Sequence, residues 1–240
     1  MFNKFILDFE TNLFDLLEKS TEFEDIAIGR KGTNLVDVTD FSIPIVRTTT
    51  NYNKSAQKFL QIHYNIVESI KIASKTMDLK LNNALIEIYD SKYTTMGYHS
   101  DQALDLEDNS YICIFSCYNN PNDLRKLKVR DKITKQNFDI ILDHNSVIMF
   151  SVHVNSKYLH KIILESNTSN NKWLGITFRQ SKTFVQFNNE IPFLNNAELR
   201  FANDKEKKEF FKLRKYENSV TEFTYPKIDF TISKSDLIFN

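Results

Sequence analysis

The sequence predicts an α+β chain that is mainly β: an antiparallel sandwich, jelly roll or barrel, with two flanking helices before it and one after. Three observations carry this. Between residues 83 and 178 lie seven short apolar or alternating runs broken by polar turns. Apolar residues at helical spacing occur only outside that stretch. The chain has four glycines, Gly29, Gly32, Gly97 and Gly175, so neither a Walker loop nor a dinucleotide fingerprint can be written anywhere in it.

Taken in chain order, Phe5 to Lys19 places Phe9, Leu13, Phe14, Leu16 and Leu17 among acids, the pattern of an amphipathic helix. Gly29 to Tyr52 is polar and threonine-rich around Ile43-Pro44-Ile45-Val46-Arg47-Thr48-Thr49-Thr50, which reads as extended strand and loop. Ser55 to Met77 repeats that amphipathic pattern more strongly, through Phe59, Leu60, Ile62, Ile66, Ile70 and Ile72. The seven strands are Ala84–Tyr89, Ser110–Tyr118, Leu127–Val129, Phe138–Leu142, Val147–Val152, Leu159–Leu164 and Leu174–Phe178. A helix from about Ala197 to Tyr216 follows, and a tail strand from Phe223 to Phe230.

With 240 residues, 41% of them hydrophobic, the chain can bury one sizeable core, so one domain over residues 1–240 is expected. Its parts are a helical and lid-like segment 1–82, a core at about 83–182 and a helix with tail at 195–240. Thirty-one basic residues balance thirty-one acidic ones, which removes the global positive field of a general nucleic-acid binder. Cys113 and Cys117 would share one face of a strand about 13 Å apart, too far for a disulfide, and read as buried thiols of a reduced protein. No run approaches a membrane span, and the start MFNKFILDFETN has acids where a leader would stay apolar. A soluble, cytoplasmic monomer with no membrane partner is expected.

The chemistry concentrates in two places. Gly97-Tyr98-His99-Ser100-Asp101 sets an imidazole and a carboxylate two residues apart, hence on one face of an extended segment. His160, in Tyr158-Leu159-His160-Lys161, opens a later strand. Two histidines and one carboxylate can occupy one triangular face of an octahedral iron(II), leaving positions for an oxoacid and dioxygen. His-x-Asp alone is a weak signal, equally satisfied by an exposed loop pair.

The flanks strengthen it. Leu85-Ile86-Glu87-Ile88-Tyr89, then His99-x-Asp101, Tyr158-x-His160 and Thr177-Phe178-Arg179-Gln180, resembles the AlkB-like family of Fe(II)/2-oxoglutarate-dependent dioxygenases over about a hundred residues. The resemblance implies a double-stranded β-helix (jelly roll) core and a metal held by His99, Asp101 and His160. It also implies 2-oxoglutarate as co-substrate, contacted by Arg179, Tyr89 and Thr177, with O2 as oxidant. It implies an oxidoreductase that hydroxylates or oxidatively demethylates its substrate, an N-alkyl group leaving as formaldehyde. An alkylated nucleic acid, a protein or a small molecule remain open as substrates, and a catalytically degenerate jelly-roll binding module remains an alternative.

Two positions depart from the family pattern. Trp173 stands where an arginine is usual, six residues before Arg179, and Glu87 stands where asparagine is usual. A carboxylate beside a dianion is repelled unless it pairs with a cation. Arg47 and Thr48 to Thr50 occupy the place of a base-binding lid, or are ordinary strand residues. His63, His144 and His153 read as structural, with His153 the one rival to His160. The C-terminal helix and tail offer a protein-interaction surface as a second reading.

Overall fold

The computed structural model describes residues 1–38, 42–165 and 170–238. Its elements in chain order are β1 (Asn3–Ile6), α1 (Leu13–Ser20), β2 (Glu24–Ala27), β3 (Arg30–Val36), β4 (Ser42–Pro44), β5 (Gln57–Lys58) and α2 (Gln61–Ser74). The central strands follow: β6 (Asn83–Tyr89), β7 (Tyr111–Tyr118), β8 (Lys126–Asp131), β9 (Asn137–Ile141) and β10 (Ser146–Ser151). A short α3 (Val152–Lys157) leads into β11 (Tyr158–Ile163) and β12 (Trp173–Arg179). The end of the chain carries β13 (Phe184–Asn188), β14 (Ile191–Leu194), β15 (Ala197–Glu198), β16 (Arg200–Phe201), α4 (Asp204–Ser219) and β17 (Phe230–Thr231).

A large sheet runs in the order β1-β10-β7-β12-β6-β3-β2, and a small one in the order β11-β8-β9. Strand alternation explains how they stack. On β7, Ile112, Ile114 and Tyr118 face the small sheet and join Leu127, Val129, Ile148, Phe150 and Ile162 in one core. Cys113, Phe115 and Cys117 face the other way, onto Leu13, Phe14 and Leu17 of α1 and Ile66, Val67 and Ile70 of α2. The result is three layers, helices on a large sheet on a small sheet, and the β part is the expected jelly roll. Both cysteines are free and buried, and burial pushes the Cys113 thiol up to about 12.

All seven central strands lie where the sequence places them, within a few residues. The ends of the chain differ. Residues 3–6 are not helical: Phe5 pairs with Val147 and Ile6 with Ser146, closing the edge of the large sheet. Helix α1 begins only after Asn12, whose side chain accepts from Phe14 N at 3.0 Å. Helix α4 starts at Asp204 rather than near Ala197, because Asn203 and Glu206 form a reciprocal cap. The tail strand shrinks to Phe230–Thr231, parallel to β16, since Pro226 and its neighbours pair with no strand. The expected extended segment 29–52 becomes β3 and β4, with residues 39–41 outside the described part. The hairpin of β13 and β14 has no counterpart among the expected elements.

Candidate metal and oxoacid site

Two elements carry the His-x-Asp segment to the small sheet. His99 pairs backbone to backbone with His160, N–H to carbonyl in both directions at 3.0 and 2.6 Å, and with a second bridge from Thr95 to Ile163 this holds the segment along β11. Asp101 follows with its backbone fixed on both sides by Asn155, which accepts from Asp101 N and donates to Asp101 O, each at 2.7 Å. The ligand atoms of His99, Asp101 and His160 then lie within 4.8 Å of one another. All three of these sequence-expected residues come together.

Their electrostatics suit a cation. His160 Nε2 stands 3.5 Å from Asp101 Oδ1, and the second carboxylate oxygen accepts from Arg179 Nε at 2.7 Å. Burial opposes ionisation of Asp101, but Arg179 and the two imidazoles hold its pKa well below the usual carboxylate range. Burial and the neighbouring His160 push His99 down to about 3, so its ring is a neutral donor. His99 Nδ1 lies 3.0 Å from the Gly97 carbonyl, to which it donates in the tautomer that leaves Nε2 free. The His160 ring is held edge-on by Phe150 at 5.7 Å, while its Nδ1 is buried without a partner. Two imidazole nitrogens and a carboxylate oxygen at this spacing are a donor set that fits Fe(II).

The triad opens onto a cavity of about 310 Å³, whose wall includes Thr48 to Thr50, Glu87, Tyr89, Trp173, Thr177 and three arginines, Arg30, Arg179 and Arg214. Tyr89 and Thr177, expected to contact a co-substrate, both line it. A small dianion fits a space with three guanidiniums in its wall. Glu87 does not stand as an isolated repelling charge. Its Oε1 accepts from Arg30 Nε at 2.7 Å and its Oε2 from the Tyr89 hydroxyl at 2.6 Å. Trp173 fills the floor: its indole lies so close over Gly175 that a Cβ there would fall 2.0 Å from the ring.

The remaining candidates separate cleanly. Arg47 is not available to a substrate, because it is buried in an ion pair with Asp105 at 2.7 Å and donates to the carbonyls of Ile228 and Phe230. His153 is exposed on α3 and outside the triad. His63 Nδ1 accepts from Leu60 N at the start of α2, and His144 Nδ1 accepts from Tyr118 N.

Sequence reasoning passed over Arg30, Arg214 and the last turn of α4. Asn218 Oδ1 accepts from Ser100 N and Oγ, Glu217 Oε1 accepts from Ala103 N, and Arg214 donates to the Ser100 carbonyl. The helix therefore grips the segment that carries His99 and Asp101. Arg214 and Glu217 are a helical i, i+3 pair, visible in the sequence but not distinguishable there from a solvated one.

A family model described as the 2OG-Fe(II) oxygenase superfamily matches residues 39–179. No curated protein matches the sequence. Among solved structures, the one described as "The structure of OsALKBH1" is similar, at 15% identity, over 63% of this chain and 78% of that one, with a TM-score of 0.44. The family match spans more than half of the chain and takes in the triad and Arg179; the protein belongs to the 2OG-Fe(II) oxygenase superfamily, 2-oxoglutarate-dependent dioxygenases that use Fe(II), 2-oxoglutarate and O2.

Proposed function

We propose that His99, Asp101 and His160 hold the iron, that 2-oxoglutarate is bound in the adjoining cavity with Arg179, Tyr89 and Thr177 in its wall, and that the enzyme oxidises an N-alkylated nucleobase. The observation that carries the metal site is the approach of the three ligand atoms to within 4.8 Å at the end of a cavity lined by arginines. When bound, iron and 2-oxoglutarate supply the oxidation: one oxygen atom of O2 goes into a substrate C–H bond and the other into succinate, with loss of CO2. An N-hydroxymethyl product then breaks to formaldehyde and a free amine.

The protein's own part is positioning. Arg179 takes one oxygen of Asp101, which orients the other toward the two imidazoles. Asn155 from α3 and Asn218 from α4 fix the backbone on either side of that carboxylate. Walls from β6, β12 and residues 48–50 surround the reacting groups on these sides.

A nucleic-acid substrate is supported by the rim rather than by the net charge. Tyr98, next to His99, lies between Arg130, with its guanidinium carbon 4.1 Å from the ring centroid, and Lys161, with its ammonium 4.8 Å away. The two cations packed against this ring, beside the metal-binding segment, form a local basic patch suited to phosphate groups. The AlkB-like order of motifs along the chain supports the same substrate class.

Incubation of the Fe(II) enzyme with 2-oxoglutarate, air and a panel of N-methylated oligonucleotides tests this. Formaldehyde and succinate released in equal amounts, and reduced by Tyr98→Ala with Arg130→Ala, is the expected result. Succinate without formaldehyde from any oligonucleotide would move the substrate to another class. The one domain over residues 1–240 is proposed on the same basis, since α4 is tied to the metal-binding segment.

A further inference from the structure

We propose that Arg30, on β3, is the cation that receives the second carboxylate of 2-oxoglutarate, the one remote from the metal. The proposal rests on the metal and oxoacid site assigned above and names a residue outside the family match, which begins at residue 39.

2-Oxoglutarate is a dianion. Its oxoacid end is the chelating end, so its other carboxylate needs a cation deeper in the cavity or loses its hydration without replacement. Three arginines line the cavity. Arg179 is committed at the metal end, donating to Asp101. Arg214 is committed at the α4 end, to the Ser100 carbonyl and Glu217. Arg30 is paired too, with Glu87, but through only Nε and Nη2, and it starts from the row of Tyr89 and Trp173, three rows along the sheet from that of Arg179.

Its position follows from strand register. Trp173 of β12 lies opposite Tyr89 of β6, which lies opposite Arg30 of β3, so the three share one row and one face of the large sheet. From that row the guanidinium reaches to Glu87, in the next row of that face, the row of Gly175 and Gly32 and one step closer to Arg179. Glu87 takes the Nε and Nη2 donors on a single oxygen. A guanidinium has five N–H donors in one plane, so a second carboxylate can be bound beside Glu87. Tyr89 and Tyr93 flank Arg30, with their ring centroids 6.0 and 5.7 Å from its central carbon.

Charge permits this placement: Glu87 alone would repel a carboxylate, and its ion pair with Arg30 removes that repulsion while leaving guanidinium N–H groups free to donate. Behind Tyr89 lies a second guanidinium, Arg125, 5.3 Å from the ring centroid and buried; its N–H groups go to the carbonyls of Tyr93 and Asp90 rather than to a carboxylate. Glu87 is therefore the clasp that aims Arg30.

The test exploits the single tryptophan. Trp173 lines the cavity, so its fluorescence reports occupancy directly. The Fe(II) protein is titrated without air against 2-oxoglutarate and against pyruvate, which has the oxoacid end and no second carboxylate. The double variant Arg30→Met with Glu87→Gln avoids stranding a buried carboxylate, and Arg30→Lys keeps the charge without the fork. The double variant is expected to weaken 2-oxoglutarate by roughly 10–100-fold, the loss of a charge-assisted hydrogen-bonded pair, and to leave pyruvate unchanged. Arg30→Lys is expected to fall between it and the wild type. Equal weakening of both oxoacids, or none of either, overturns the assignment. A wild type that binds iron and neither oxoacid overturns the co-substrate site itself, and the role of Arg30 with it.

Discussion

Asn218→Ala separates what the C-terminal helix does for the metal from what it does for stability. Asn218 Oδ1 accepts two hydrogen bonds from Ser100, at 3.0 Å to the backbone N–H and 3.0 Å to the hydroxyl. Ser100 is buried between two of the proposed ligands. Truncation leaves a buried donor without an acceptor, which costs about 1–3 kcal/mol, and the second lost bond adds about 1 kcal/mol. Relaxation of residues 97–103 to recover those bonds from water moves His99 and Asp101 out of register with His160. Loss of partners that orient ligands lowers metal affinity by about 10–100-fold. The assay is a metal titration with Mn(II), read as free ion by electron paramagnetic resonance, beside urea unfolding of the metal-free protein. Lys212→Ala, on the exposed side of α4, is the control expected to change neither. A fall in stability with unchanged Mn(II) affinity would show that α4 packs against the site without shaping it.

Three other outcomes follow from the packing. Gly175→Ala forces a Cβ into the Trp173 indole at 2.0 Å, and is expected to cost about 1–3 kcal/mol and to shift the tryptophan emission as the ring is displaced; an unchanged spectrum would place the indole elsewhere. Phe115→Ala, at the centre of the large sheet under α1 and α2, is expected to cost about 3–5 kcal/mol in urea unfolding, and a loss under about 1 kcal/mol would contradict the three-layer core. Burial, with Asp105 nearby, raises the Asp236 carboxyl to about 6 against Thr231, which donates to it. The folded state then holds a proton that the unfolded state has released between about pH 4 and 6, so stability falls as pH rises through that window and the penalty is complete above it. Asp236→Asn removes that penalty and is expected to stabilise the protein by about 3 kcal/mol at pH 7.5, with no gain near pH 4; equal effects at both values would deny a raised carboxyl.

The sequence was most legible where strand alternation and motif spacing act together. The seven central strands follow from their apolar and period-two patterns and lie where those patterns put them, whereas His99, Asp101 and His160 stood out only through the resemblance of their flanking motifs, and the fold brings their ligand atoms together. Legibility failed where a partner far along the chain decides the local structure. Phe5 and Ile6 carry apolar groups that a helix would also present, and only the free edge of β10 turns them into a strand. Arg47 stayed open between a lid residue and an ordinary strand residue because nothing in its neighbourhood reveals Asp105, fifty-eight residues away. Arg30 was silent for the same reason: its importance comes from the pairing of β3 with β6, which brings it over Tyr89. Glu87 was legible as a departure, and the structure resolves it through Arg30 rather than by moving it out of the cavity.

The most direct test of the metal centre is an air-free titration of the purified protein with Fe(II) and then 2-oxoglutarate, following the weak visible charge-transfer absorption of the iron–oxoacid chelate in the wild type and in His99→Ala. The expected result is a band in the wild type, saturating at one equivalent of each, and none in His99→Ala. Iron binding that survives His99→Ala, with the band intact, would contradict the assignment of His99, Asp101 and His160 as the metal ligands.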